Sequence, residues 1–288
     1  MAGIVAKSWR HFAVHILRAM KVQEPPSSEL PDRKPGDGYV QSFARGLAVI
    51  RTFDANAPRQ TLTDVAKRCG LSRAGARRIL LTLETLGYVK LDGRLFSLTP
   101  KTLDLGFAYL SSQPLWHLAE PTMQQLTAEL QESCSAAVLD GDDIVYVLRV
   151  PARKIMSINL GLGSRLPAWC TSMGRVLLGA LPRAELDARL EHLVITRNTA
   201  HTVVDVDQLR DRILQTRQQG WCLVNQELEE GLVSLAAPLR DRSGQVIAAL
   251  NLGAQVNRLP PEALLSQGLP KLLAAAASIS NLLALKTG

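Results

Sequence analysis

Between residues 39 and 100 the apolar positions recur first at helical spacing and then at every second position. Phe43, Gly46, Leu47 and Ile50 fall at i, i+3, i+4 and i+7, which predicts a helix capped by Ser42. In "TLTDVAKRCG" Thr63 is placed to cap a short helix burying Val65, Ala66 and Cys69, with Leu62 as a staple and Gly70 as its end. Ser72 then caps a second helix, from Arg73 to about Leu86, whose inward residues are Ala76, Ile79, Leu80 and Leu83. Two short helices joined by a glycine-containing turn make a helix-turn-helix. After Gly87 the period becomes two, "YVKLDGRLFSLT", and Asp92-Gly93 predicts a hairpin turn. A hairpin directly after the second helix is a wing, with Arg94 at its tip.

Helical spacing returns at Leu103, Gly106, Phe107 and Leu110, which predicts a connecting helix ended by Pro114. Another helical run follows, with Leu118, Met123, Leu126 and Leu130 inward and Pro121 as a kink. Strand-like segments then alternate with helices. "SAAVLDGDDIVYVLRV", the start of "KIMSINLGLGSRLPA", "WCLVNQEL", "GLVSLAAPLRD" and "GQVIAALNLGA" read as strands. "TSMGRVLLGAL", "PRAELDARLEHL" and "DQLRDRILQTRQQG" read as helices, and a long apolar segment broken at Pro270 closes the chain. The predicted fold class is α+β: an N-terminal winged helix-turn-helix, a linker helix, and a C-terminal mixed α/β domain with a largely antiparallel sheet. The predicted boundaries are 1–38 for a basic arm and linker, 39–100 for the winged helix, 101–114 for the linker helix and 115–288 for the last domain.

Charge separates these parts. Residues 1–100 carry 16 Lys+Arg against 8 Asp+Glu, and residues 101–288 carry 17 against 18. Residues 39–100 alone carry 10 against 4, so the excess lies within a folded segment and points to a polyanion. On the second helix, Ala74 and Arg78 lie nearly opposite the apolar stripe, with Arg77 beside them. Small residues allow close approach to a duplex, Ala74 can meet a thymine methyl, and arginines reach guanine edges or phosphates. The candidate DNA-contacting set is Arg45, Ser72, Arg73, Ala74, Arg77, Arg78 and Arg94.

The remaining chemistry is sparse. Cys69, Cys134, Cys170 and Cys222 form no CxxC pair, which predicts reduced thiols in a cytoplasmic protein and no zinc site. His11 and His15 lie at i, i+4 but lack a third ligand nearby, so no metal is predicted. No stretch approaches about 20 consecutive apolar residues, so no membrane span is predicted. GxSxG, HExxH and P-loop signatures are missing, and Gly161-Leu-Gly163 lacks the context of a dinucleotide site. Cys170, just before a helix start, reads as a packing residue or as an activated thiol of a redox sensor or enzyme. "LPAWCTSMGR" offers a helix N-terminus at Thr171–Gly174 with the aromatic face of Trp169 beside it, which suits a small carboxylate held without a buried cation. Arg153 and Arg165 are the cations next in line.

Both halves resemble the bacterial regulators named after the isocitrate lyase regulator, the IclR family, over residues 40–284. The resemblance rests on "LTDVAKRCGLSRAGARRILLTLETLGYV", "LPAWCTSMGRVLLGAL", "GWCLVNQELEEGLVSLAAPLRD" and "GQVIAALNLGA". Within the family the chain looks most like regulators of aromatic-acid catabolism. The resemblance implies operator DNA bound by a homodimer or a dimer of dimers, and a small aromatic or aliphatic carboxylate held under the C-terminal sheet. It implies neither a catalytic residue nor a cofactor. Carried onto this sequence, the effector pocket involves Ile155, Ile158, Leu166, Ser172, Met173, Val224, Asn225, Ser234 and Asn251, to which the local reading adds Trp169 and Cys170. Val224 and Ser234 stand where many members have an acidic residue and a cysteine.

Overall fold

The computed structural model describes residues 38–112, 115–152 and 160–286, which divide between Ser112 and Gln113 into two units. The arm and most of the first linker, with His11 and His15, lie outside the described residues, as do Ile155, Ile158 and Arg153.

The first unit runs α1 (Gln41–Arg51), β1 (Gln60–Thr61), α2 (Leu62–Arg68), α3 (Arg73–Thr85), β2 (Val89–Asp92), β3 (Leu95–Leu98) and α4 (Leu103–Ser112). Its core is Val49, Val65, Leu80, Leu83, Val89 and Phe96, drawn from the three helices and the hairpin. The cap of α2 is Thr61, not Thr63. Asp64 stands three residues on from Thr61, and the two exchange reciprocal bonds, Asp64 N–H to Thr61 Oγ1 at 3.3 Å and Thr61 N–H to Asp64 Oδ2 at 3.0 Å. Ser72 caps α3 as predicted, accepting from Gly75 N–H at 3.1 Å. The predicted stripe on α1 is largely solvent-facing within the chain, and Val49 is the residue that enters the core. On that helix Ser42 makes no cap, since the helix already begins after Val40.

The wing is tighter than its sequence suggests. Asp92 pairs with Leu95, so the two loop residues are Gly93 and Arg94, with Gly93 at φ 62°. Strand β1 adds a third strand beside β3, giving the order β1-β3-β2.

The second unit is α5 (Leu115–Leu130), β4 (Ser133–Asp140), β5 (Asp143–Val150), β6 (Arg165–Pro167), α6 (Ser172–Ala180), α7 (Arg183–Glu191), α8 (Val206–Gln219), β7 (Cys222–Asn225), β8 (Leu232–Arg240), β9 (Val246–Gln255) and α9 (Leu269–Lys286). Its six strands form one antiparallel sheet in the order β6-β5-β4-β9-β8-β7. Pro238 lies in β8 beyond the reach of β7, where its missing N–H breaks no ladder bond. One face of the sheet receives α6, whose Met173, Val176 and Leu177 pack with Ala137, Tyr146, Val224, Ala236 and Ala249. The other face carries Leu235, Leu239, Leu250 and Leu252 beneath α5 and α9. The final helical segment is interrupted at a π turn, Leu264–Gly268, rather than at Pro270, which a first helical turn tolerates. Pro261–Leu285 is long and apolar enough to cross a membrane by length and composition; Leu272, Ala276, Ile279 and Leu283 are buried in the fold.

Candidate functional site

In the first unit the structure leaves a set of arginines free at the surface. Arg73, Ala74, Arg77 and Arg78 are exposed on the leading part of α3, opposite Ala76, Leu80 and Leu83. Arg45 is exposed on α1 and Arg94 at the wing tip. Among the described residues none of these five arginines has a carboxylate within 4.0 Å. Two other arginines of the unit are committed to the fold. Arg68 donates to Thr52 O at 2.6 Å and Asp54 at 2.7 Å, and Arg59 pairs with Asp92. The burial of Ala76 and Leu80 thus presents unpaired cations flanking a small residue.

In the second unit the site forms between the start of α6 and the sheet. A short 3₁₀ turn, Ala168–Cys170, lies directly against the helix. A β-carbon on Gly174 would come within 2.0 Å of Ala168 O, so only glycine fits there. Thr171 caps the helix, accepting from Gly174 N–H at 3.2 Å, so one of the three backbone donors expected for a carboxylate is already taken. Ser172 and Met173 are 1% exposed. Strand register places Asn251 opposite Ala236 and Ser135, and Ser234 opposite Val224 and Gly253. All these positions share the sheet face that receives α6, as Leu166 does through its pairing with Ile144. Among the described residues Ser172 Oγ and Asn251 Oδ1 are buried without a hydrogen-bond partner. Orphaned buried polar atoms are uncommon because each forfeits its hydration.

Arg175 fixes this assembly from behind. Its neighbours on α6 are apolar or small, and its side chain is 1% exposed. Its guanidinium bonds Glu227 twice, Nη1 to Oε1 at 2.8 Å and Nη2 to Oε2 at 2.6 Å, while Nε donates to Trp169 O at 2.9 Å. Glu227 also accepts from Val203 N–H at 3.2 Å. Thr202 Oγ1 donates to the Glu227 carbonyl at 2.8 Å. One ion pair therefore ties α6, the 3₁₀ turn and the loop after β7 together.

Residues 42–93 match the IclR helix-turn-helix domain, and residues 107–281 match the bacterial transcriptional regulator IclR C-terminal domain. The chain belongs to the IclR family. It is 44% identical over 244 residues to the Pca regulon regulatory protein of Pseudomonas putida, covering 84% of each chain. It is 36% identical to the p-hydroxybenzoate hydroxylase transcriptional activator of Acinetobacter baylyi, covering 85% of this chain and 93% of that one. The crystal structure of a transcriptional regulator from Rhodococcus sp. RHA1 superposes with a TM-score of 0.78 at 50% identity, over 85% of this chain and 98% of that one. These relatives are named as transcriptional regulators and not as enzymes. As an IclR-family member, the chain is a transcriptional regulator with a DNA-binding and an effector-binding domain.

For this IclR-family chain the fold brings Leu166, Trp169, Cys170, Ser172, Met173, Val224, Ser234 and Asn251 to one side of the sheet. It does not bring Asn225 there. Asn225 pairs with Val233, so strand alternation turns it to the opposite face, where its Oδ1 is also buried and unpartnered. Cys170 is fully buried, and that burial pushes its thiol up to about 12. At neutral pH almost no thiolate forms, which removes the physical basis for the alternative of a redox sensor or thiol enzyme. Arg165 is engaged by Asp140 and Asp143, at 2.6 and 3.1 Å. Arg175 and Glu227 escaped the sequence reading, although a lone arginine amid "SMGRVLLGA" signals a need for a buried carboxylate.

Proposed function

We propose that this IclR-family regulator controls genes of aromatic-compound catabolism, reading operator DNA with α3 and the wing and responding to a hydroxylated aromatic monocarboxylate. The observation that carries the reading is the pair of orphaned oxygens, Ser172 Oγ and Asn251 Oδ1, in a layer otherwise lined by Leu166, Met173 and Val224. A ring with a polar substituent satisfies both kinds of surface. The names of the Pseudomonas putida and Acinetobacter baylyi relatives support an aromatic acid as the class. On this reading the protein acts in the cytoplasm as a homodimer or dimer of dimers. Arg77 and Arg78 contact bases or phosphates through α3, Ser72, Arg73 and Ala74 approach the groove, and Arg45 and Arg94 contact the flanking backbone.

The DNA half is tested by measuring operator affinity at several salt concentrations. Arg77→Ala or Arg78→Ala is expected to weaken binding by about 1–3 kcal/mol where the lost contact is a bidentate pair with guanine. Arg94→Ala should weaken all sequences about equally and flatten the salt dependence, as loss of a phosphate contact does. Unchanged affinity in both α3 variants, with folding intact, contradicts the assignment of α3 as the reading helix.

A further inference from the structure

On the sheet face beneath α6, among the described residues, Arg149 is a cation held by no carboxylate. Arg149 lies near the end of β5, half-buried, and pairs in register with Ser135 of β4. Ser135 in turn pairs with Asn251 of β9, so Arg149, Ser135 and Asn251 form a continuous polar row across three adjacent strands. The contact of Arg149 Nη1 with Ser135 Oγ, at 3.5 Å, places the guanidinium on this face. It is a long bond for a group with five N–H donors. Among the described residues Arg149 has no carboxylate within 4.0 Å, whereas Arg165 on the neighbouring strand is held by two. Tyr146 shares the face, packed in the cluster that holds Met173, and is buried enough to keep its phenol protonated.

A partly desolvated guanidinium with one weak partner is poorly compensated. A carboxylate compensates it well, because the planar fork matches two carboxylate oxygens. Arg149 and Asn251 stand two strand spacings apart, roughly 10 Å between backbones. That span suits one substituted ring with an anionic end toward Arg149. The opposite end then meets Asn251 Oδ1, a buried acceptor that lacks a donor. The unmet atom of this amide is its oxygen, which a hydroxyl donor answers better than a second carboxylate does. The row is therefore polarised, with a cation at one end and an unmet acceptor toward the other.

We infer that Arg149 is the carboxylate-binding residue of the effector site, and that Asn251 receives a ligand hydroxyl at the other end. The inference rests on the reading of this layer as an effector site for a hydroxylated aromatic acid. It replaces the start of α6 as the anion-binding element, which Thr171 has already partly closed.

The test is calorimetric titration of the full chain with 4-hydroxybenzoate and with neutral 4-hydroxybenzamide, in wild type, Arg149→Met and Arg149→Lys. Thermal unfolding of each variant serves as the check on folding. The expected result is that Arg149→Met weakens 4-hydroxybenzoate by about 10- to 100-fold, as loss of a charge-assisted bidentate pair does. Binding of the amide, already weak, should change little. Arg149→Lys should recover part of the affinity for the acid, because it restores the charge without the fork. Equal binding of the acid by wild type and a folded Arg149→Met overturns the assignment of Arg149 and leaves the effector reading standing. Equal weakening of acid and amide also overturns it, since that pattern reports a general change in the site. If wild type binds no acid of this class, the effector reading fails and the inference fails with it.

Discussion

Replacing Glu227 with alanine should destabilise the second unit by about 3–5 kcal/mol, the effect of removing one partner from a buried ion pair. Arg175 would remain 1% exposed in an apolar helix with its charge uncompensated, and the bond from Val203 N–H would be lost as well. Arg212, at 3.6 Å from Glu227, lies at the exposed margin and cannot substitute for a carboxylate. Urea unfolding of the wild type and variant measures this directly. A double replacement, Arg175→Met with Glu227→Leu, should recover much of the loss, because apolar residues of similar size remove both desolvation penalties. If Glu227→Ala lowers stability by less than about 1 kcal/mol, in the range of an exposed pair, the pair does not organise the site.

Gly174→Ala should cost about 3 kcal/mol, the upper end of the range for overpacking a closed interior. The added methyl would lie 2.0 Å from Ala168 O, 2.3 Å from Ala168 Cα and 2.4 Å from Ala168 C. All three are backbone atoms, so relief requires moving the 3₁₀ turn that carries Trp169 and Cys170. Effector binding should therefore fall together with stability. Gly179→Ala provides the comparison: its nearest neighbour would be Ile213 O at 3.3 Å, which a small shift relieves. Circular dichroism melts of the two variants should separate them clearly, and similar melting temperatures would show that the turn yields without penalty.

Periodicity made most elements legible because each had local punctuation. Gly70, Ser72 and Gly93 mark boundaries through backbone conformation or capping, and the structure uses all three. Where two capping residues competed the local signal was insufficient: Thr61 prevails over Thr63 because Asp64 completes a reciprocal pair only with Thr61. The apolar stripe of α1 misled for another reason. Apolar spacing marks a helix but not what covers it, and Phe43 is 68% exposed within the chain. Strand β1 has two residues, too few to show a period.

The proposed effector layer was only partly legible. Leu166, Ser172, Met173, Val224, Ser234 and Asn251 converge because alternation and sheet order bring four strands and one helix together. Asn225 was misplaced because one residue of register turns a side chain to the other face. Arg149 and Arg165 look alike in sequence; only the positions of Asp140 and Asp143 distinguish a paired arginine from an unpaired one. Glu227 lies 52 residues from Arg175, a separation at which no spacing rule joins them.

An aromatic acid and operator DNA should bind one molecule and influence each other's affinity. Fluorescence anisotropy of labelled DNA from the protein's own upstream region, titrated with the full chain, tests it most directly. Titrations without ligand and with 4-hydroxybenzoate, protocatechuate or the neutral 4-hydroxybenzamide should differ. At least one acid is expected to shift the operator affinity by about 5- to 150-fold, the usual range of coupling between two sites, and the amide should shift it far less. Operator affinity identical in the presence of every aromatic acid, at concentrations far above those that saturate binding, would show that the two sites are not coupled through an aromatic acid.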